Sequence, residues 1–198
     1  MDELHIVYVD DNIDTGLSRY LDEEYNPPNF QKIYVEVEFD PSLGYESLIQ
    51  NPKIQAANII LIDSRLFENG RASAGKFTGE EFKIILKKYY PFIEVIVITQ
   101  NKPDIDMGTI SKYNASCGKS NKEYYDNTLP QYFANAINNL QIYRQIAKNL
   151  KENPNWEDVL KEKILNSLNG IVSYDELTKA DIDNLVTIFN EIQDNLNG

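Results

Sequence analysis

Five side chains with the chemistry for phosphoryl transfer follow short apolar segments of the sequence. Three carboxylates can bind a hard divalent cation, and an aspartate can also act as the nucleophile toward a phosphoryl group. A hydroxyl group and an ammonium group can then neutralise charge on the phosphoryl oxygens. The five side chains are Asp10, Asp11, Asp63, Thr99 and Lys119.

The apolar segments before these side chains have the pattern of strands in a parallel sheet. Three of them, 6–9, 59–62 and 95–98, are short continuous runs rich in β-branched residues, which is typical of strands buried on both faces. The segment 32–39 alternates between apolar and polar residues, as an edge strand does. A brief fifth strand is predicted at 115–117, just before Lys119.

Helical patterns lie between the predicted strands. They cover 13–25, 41–57 and 79–90, with a weaker short helix at 103–113. Strands and helices that alternate in this way indicate an α/β fold with a doubly wound, five-stranded parallel sheet. Because the carboxyl ends of parallel strands meet at one edge, we expect the five side chains to share one crevice.

The chain beyond Leu129 has a different pattern. Apolar residues at helical spacing continue over 129–150, about six turns, until Pro154 interrupts them. We therefore assign 1–150 to one domain with an extended last helix. Residues 151–198 are predicted to form an acidic extension of two helices, at roughly 156–168 and 174–196. This extension carries four lysines and ten acidic residues, a net charge of −6.

Composition and charge exclude several classes of function. The 198 residues carry a net charge of −12, which argues against binding to nucleic acid or to an anionic membrane surface. No apolar run approaches the ~20 residues that span a bilayer, and the acidic start lacks the basic region of a signal peptide. The single Cys117 excludes an intramolecular disulfide. These features predict a cytoplasmic protein.

Five segments of the sequence form one ordered set. They are VDDN (9–12), NIILIDSRL (58–66), TGEEF (78–82), EVIVITQN (94–101) and ASCGKS (115–120). Together they resemble the receiver domain of two-component response regulators. The resemblance covers roughly residues 4–140 and implies a flavodoxin-like sheet with the strand order 2-1-3-4-5. Phe67, Ser116 and Ser120 depart from it, because that family usually has a proline, an aromatic residue and a proline there.

The resemblance implies a role for each candidate residue. Asp63 would be the phosphoacceptor, and Thr99 would be the hydroxyl that follows the phosphoryl group. Lys119 would pair with the phosphate or with Asp63. A Mg²⁺ ion would be held by Asp10, Asp11, Asp63 and the backbone carbonyl of Arg65.

The same resemblance implies signalling by phosphorylation, without turnover of an external substrate. The phosphoryl donor would be a histidine kinase or a phosphotransfer protein. The output would be contact with another protein or with a second copy of this chain through 129–150, since the C-terminal extension lacks a basic recognition helix for DNA. The alternative is a pseudo-receiver that acts as an interaction or scaffold module without phosphorylation. A hydrolase of the haloacid dehalogenase type would need a DxD motif after the first strand, which DDNID (10–14) does not supply cleanly.

Two further motifs match known sites less well. The segment GRASAGK (70–76) fits the P-loop pattern, but Phe77 stands where a P-loop needs Ser or Thr. Residues 165–176 have polar side chains at EF-hand spacing, but Leu165 replaces the first carboxylate. A surface loop and a capped helical turn explain these segments better.

Overall fold

The computed structural model describes residues 2–67, 78–103, 108–152, 162 and 164–166. In these residues the chain forms a five-stranded, all-parallel sheet with the order β2-β1-β3-β4-β5. This topology confirms the predicted doubly wound α/β architecture of the flavodoxin-like type. The strands are β1 (Asp2–Asp10), β2 (Phe30–Glu38), β3 (Ile59–Asp63), β4 (Glu94–Thr99) and β5 (Ile110–Ser111).

Helices connect the strands and cover both faces of the sheet. The predicted helix at 13–25 is an α-helix that continues as a π-helical segment, Tyr20–Glu24, and the predicted helix at 41–57 is divided into short pieces. A 3₁₀ turn, Pro41–Leu43, precedes those pieces. The α-helices are α1 (Thr15–Arg19), α2 (Glu46–Ile49), α3 (Pro52–Gln55), α4 (Gly79–Tyr89), α5 (Asn121–Thr128) and α6 (Pro130–Glu152).

Two apolar cores lie on opposite faces of the sheet. Alternate side chains of a strand point to opposite faces, so β1 contributes to both cores. Leu4, Ile6 and Tyr8 pack on the face covered by α1, α5 and α6, whereas Val7 and Val9 pack on the face covered by α2, α3 and α4. Since β1 and β3 are enclosed on both sides, the carboxylates at their ends are held by a rigid frame.

The start of α4 is fixed directly against the end of β3. Thr78 caps the helix through a capping box, in which its hydroxyl accepts the N–H of Glu81 and the Glu81 carboxylate accepts the N–H of Thr78. The N–H of Gly79 donates to the carbonyl of Ser64 at 2.7 Å. The residue after Asp63 is therefore tied to a helix N-terminus.

The fifth strand lies earlier in the chain than the sequence pattern predicted. Strand β5 is Ile110–Ser111, whereas 115–117 forms a 3₁₀ turn. Asn114 caps that turn by accepting the N–H of Ser116, and Gly118 ends it with φ +71°. This capping chemistry favours a turn over a strand. The residues at 108–111 are likewise not helical, which overturns the weak helix predicted at 103–113 for the described part of that segment.

The long helix predicted over 129–150 is present as α6, and the structure adds α5 before it. No described helix is both long and apolar enough to cross a membrane. Several predictions lie wholly or almost wholly outside the described residues. They are the two helices at 156–168 and 174–196, the extension 151–198 that contains them, the loop at 66–78 and the two weaker motifs at 70–76 and 165–176.

Candidate functional site

Four buried polar side chains lie at the carboxyl edge of the sheet. Asp10 ends β1, Asp63 ends β3, Thr99 ends β4 and Lys112 follows β5. They are between 2 % and 7 % exposed. A pocket of about 320 Å³ opens beside them, and its lining includes both aspartates, Lys112 and the half-buried Asp11. The structure thus brings Asp10, Asp11 and Asp63 into one crevice, as the sequence predicted, whereas Thr99 is not among the residues that line it.

The ammonium group of Lys112 lies between two of the carboxylates. Its Nζ is 2.6 Å from Oδ2 of Asp10 and 2.7 Å from Oδ1 of Asp63. Burial lowers the pKa of Lys112, but hydrogen bonds to Asp10 and Asp63 outweigh it and hold the pKa above its ordinary value. Lys112 therefore remains charged at neutral pH and compensates the two buried carboxylates.

Lys119, the lysine predicted for this crevice, lies elsewhere. It is exposed after the 3₁₀ turn at 115–117, and its backbone carbonyl accepts the hydroxyl of Tyr113 at 2.8 Å. The prediction chose the wrong lysine because it placed β5 five residues too late. The β-branched pair Thr109-Ile110 directly before Ser111-Lys112 was the available signal, since such residues favour strands.

Both oxygens of the Asp63 carboxylate are bound. Oδ1 accepts from Lys112, and Oδ2 accepts the N–H of Arg65 at 2.8 Å. Burial raises the pKa of Asp63, and Lys112 offsets part of that rise. Arg65 itself is exposed and lines the pocket, while the predicted role of its carbonyl as a metal ligand stays a prediction.

Asp10 is held by three donors. Oδ1 accepts the N–H of Asn12 at 3.2 Å, whereas Oδ2 accepts from both Lys112 and the hydroxyl of Tyr8. Burial, followed by the negative charge of Asp10, raises the pKa of Tyr8 far above its ordinary value, so the phenol stays protonated. Sequence reasoning did not single out Tyr8, although its position two residues before Asp10 places both side chains on one face of β1.

Thr99 is 4 % exposed at the end of β4. Its hydroxyl accepts the N–H of Asn101 at 3.1 Å, and its backbone carbonyl accepts the N–H of Lys112 at 2.6 Å. Thr99 therefore positions the lysine through its backbone. Its predicted role as a switch hydroxyl is a proposal about a phosphorylated state.

A second polar network links the residue after Asp63 to the segment before β5. The carboxylate of Glu80 accepts the hydroxyl of Ser64 at 2.8 Å and the hydroxyl of Thr109 at 2.6 Å. Burial raises the pKa of Glu80, but these hydrogen bonds outweigh it and lower the pKa overall. Glu80 thus joins the segments that carry Asp63 and Lys112, and sequence reasoning did not find it.

The crevice has the donor types that Mg²⁺ prefers, since three carboxylates border one pocket. Asp10, Asp11 and Asp63 are the residues that would hold the ion. In the present arrangement, however, no three His, Cys, Asp or Glu side chains among the described residues are grouped to hold a metal. The Lys112 ammonium joins Asp10 to Asp63 instead, so metal binding would require the carboxylates to rearrange around it.

The functional conclusion rests on the fold and the crevice, because comparison with known families and curated proteins found no match. No model of a protein family matches this sequence, and no curated protein matches it either.

Proposed function

We propose that this protein is a receiver-type signalling module in which Asp63 accepts a phosphoryl group. The observation that carries the proposal is the Lys112 ammonium, held 2.7 Å from Asp63 in the lining of the same pocket. An anionic nucleophile next to a fixed cation is the arrangement that transfer of a charged phosphoryl group requires. The sheet topology and the sequence segments around Asp10, Asp63 and Thr99 support the same proposal.

In the proposed step, a carboxylate oxygen of Asp63 forms a bond to phosphorus as the bond from phosphorus to the donor breaks. The bonding electron pair leaves with the donor, which is a phosphohistidine side chain or a small acyl phosphate. Lys112 then donates to a phosphoryl oxygen, because its Nζ already lies within hydrogen-bond distance of the accepting carboxylate. Bound Mg²⁺ would supply further charge neutralisation, with Asp10, Asp11 and Asp63 as its protein ligands.

The consequence for signalling follows from the same contacts. Phosphorylation replaces the ion pair of Asp63 with Lys112 by a larger, more negative group. This change would act on both segments joined by Glu80, the one after Asp63 and the one before β5. We propose that it alters a surface that another protein recognises. The net charge of −12 favours protein partners over nucleic acid.

One observation favours a second candidate, a pseudo-receiver that acts without phosphorylation. Lys112 compensates two buried carboxylates at once, and the described residues contain no three-acid group arranged for a metal. A crevice of this kind can be a stable structural element. The two candidates differ in whether Asp63 reacts.

Intact mass measured after incubation with Mg²⁺ and a small acyl phosphate tests the proposal. We expect a single phosphoryl adduct on the wild-type protein, because Asp63 is the more exposed of the two buried carboxylates that contact Lys112 and line the pocket. The adduct should be lost in Asp63→Asn and on removal of the metal with EDTA, and it should persist in Lys119→Met. A wild-type protein that takes up no phosphoryl group would favour the pseudo-receiver.

We also propose that the second half of α6 takes part in contact with a second copy of this chain. Ile142 and Ile146 lie one turn apart on α6 and are 49 % and 44 % exposed. We expect Ile142→Glu with Ile146→Glu to shift a dimer to monomer in sedimentation velocity, whereas Gln141→Glu on the same helix leaves it unchanged. A wild-type protein that is monomeric up to high concentration would contradict this proposal.

A further inference from the structure

The hydroxyl of Tyr8 has two defined partners beneath the crevice. It accepts the backbone N–H of Asp14 at 3.2 Å and donates to Oδ2 of Asp10. The direction of both hydrogen bonds is fixed, because the backbone N–H can only donate and the carboxylate can only accept. Tyr8 is fully buried, so water does not compete for its proton.

The position of the hydroxyl is enforced from both sides. Tyr8 is part of β1 and packs in the core beneath the sheet. Asp14 is the N-cap of α1, where its side chain accepts the N–H of Leu17 at 2.9 Å. The start of α1 therefore holds the Tyr8 hydroxyl against Asp10.

Oδ2 of Asp10 is shared between Tyr8 and Lys112. The ammonium group of Lys112 has three protons, and its two carboxylate contacts are at nearly equal distances of 2.6 and 2.7 Å. Asp10 is 2 % exposed, so an oxygen that loses a donor there has little access to water. A buried carboxylate without a full set of donors is costly, and the nearest remaining donor is Lys112.

We infer that Tyr8 is a positioning residue for Lys112: its hydroxyl satisfies Asp10, so that the ammonium group is also available to Asp63. Without this hydroxyl, Asp10 draws Lys112 toward itself and away from the accepting carboxylate. The inference deepens the proposed function and rests on it wherever phosphoryl transfer is measured. The position of Lys112 itself can be measured independently of phosphorylation.

The test compares Tyr8→Phe with the matched variant Tyr20→Phe in the full chain. Both tyrosines are at most 2 % exposed and both bind a carboxylate, but the partner of Tyr20 is Asp126 on α5. Each change removes one oxygen and keeps the ring that fills the core. Crystal structures of both variants give the distance from Lys112 Nζ to Asp63 Oδ1, and titration with an acyl phosphate gives the maximal rate and the half-saturating donor concentration.

In Tyr8→Phe we expect the distance from Lys112 to Asp63 to grow beyond about 3.5 Å, outside hydrogen-bond range. The maximal rate of phosphorylation should fall at least about tenfold, the worth of one hydrogen bond to a charged group. The half-saturating donor concentration should not change, because Tyr8 does not line the pocket. Tyr20→Phe should keep both the wild-type distance and the wild-type rate.

Three results would overturn the inference. The first is a Tyr8→Phe structure in which Lys112 keeps both contacts, whatever the rate does. The second is a lysine that moves equally in Tyr20→Phe. The third is a Tyr8→Phe protein that fails to fold while Tyr20→Phe folds, since the hydroxyl would then serve the fold. Lys112 could also move in Tyr8→Phe while the wild-type protein accepts no phosphoryl group. That result would support the inference and would count only against the proposed function.

Discussion

Replacing Lys112 with methionine is expected to lower the free energy of unfolding by about 3–5 kcal/mol. The methionine keeps much of the side-chain volume but leaves Asp10 and Asp63 buried together without their shared cation. Removing one partner of a buried ionic cluster is costly because the remaining charges stay desolvated. Urea unfolding at neutral pH measures the loss, and the same variant should show no phosphorylation above background.

Lys119→Met is the matched control. Lys119 is exposed, so the free energy of unfolding should change by no more than about 0.5 kcal/mol. The double variant Lys112→Met with Asp63→Asn should recover part of the stability lost in Lys112→Met, since one of the two uncompensated charges is gone. Equal stability of the two lysine variants would contradict the assignment of Lys112 to the crevice.

Gly79→Ala is the second change with a large expected effect. A Cβ atom at this position would lie 2.5 Å from the backbone oxygen of Asp63 and 2.9 Å from Cα of Ser64. Both are backbone atoms of the strand end that carries the acceptor, so they cannot rotate away as a side chain would. Overpacking of this kind costs about 1–3 kcal/mol, while alanine regains about 1 kcal/mol of helix propensity. We expect a net loss of up to about 2 kcal/mol, measured by urea unfolding, and a lower rate of Asp63 phosphorylation.

Gly118→Ala is the control that separates the loss of stability in Gly79→Ala from the lower rate of phosphorylation. Gly118 has φ +71° with open space around it, so alanine there costs about 1 kcal/mol of backbone strain. Gly118 ends the exposed 3₁₀ turn and a Cβ atom there would meet nothing within 4 Å, so its substitution should lower stability without slowing phosphorylation. Wild-type stability and wild-type phosphorylation in Gly79→Ala would show that α4 does not set the position of Asp63.

The strongest strands were predictable because their signal is local. The runs 6–9, 59–62 and 95–98 are apolar over their whole length, since they are covered on both faces. Strand β5 was misplaced because two residues cannot establish a period, and the segment 115–117 fitted the family motif better. Because of the same error, Lys119 was predicted to be the lysine of the site instead of Lys112.

The crevice was predictable where its side chains follow those strong strands. Asp10, Asp63 and Thr99 were placed correctly at the carboxyl edge for this reason. The contacts among the side chains were not predictable. Lys112 and Asp10 are 102 positions apart in the sequence, and they come into contact only when the whole sheet has formed. Glu80 was read as part of a helix start, and its bonds to Ser64 and Thr109 depend on how α4 docks.

Reduction with borohydride followed by peptide mapping tests the central claim most directly, because it identifies the residue that carries an acyl phosphate. The reagent converts a phosphorylated aspartate to homoserine, which changes the mass of one peptide. After treatment with Mg²⁺ and an acyl phosphate, we predict homoserine at Asp63 and at no other residue. Homoserine at another aspartate, or at none while a control acyl phosphate protein is converted, would contradict the assignment of Asp63 as the acceptor.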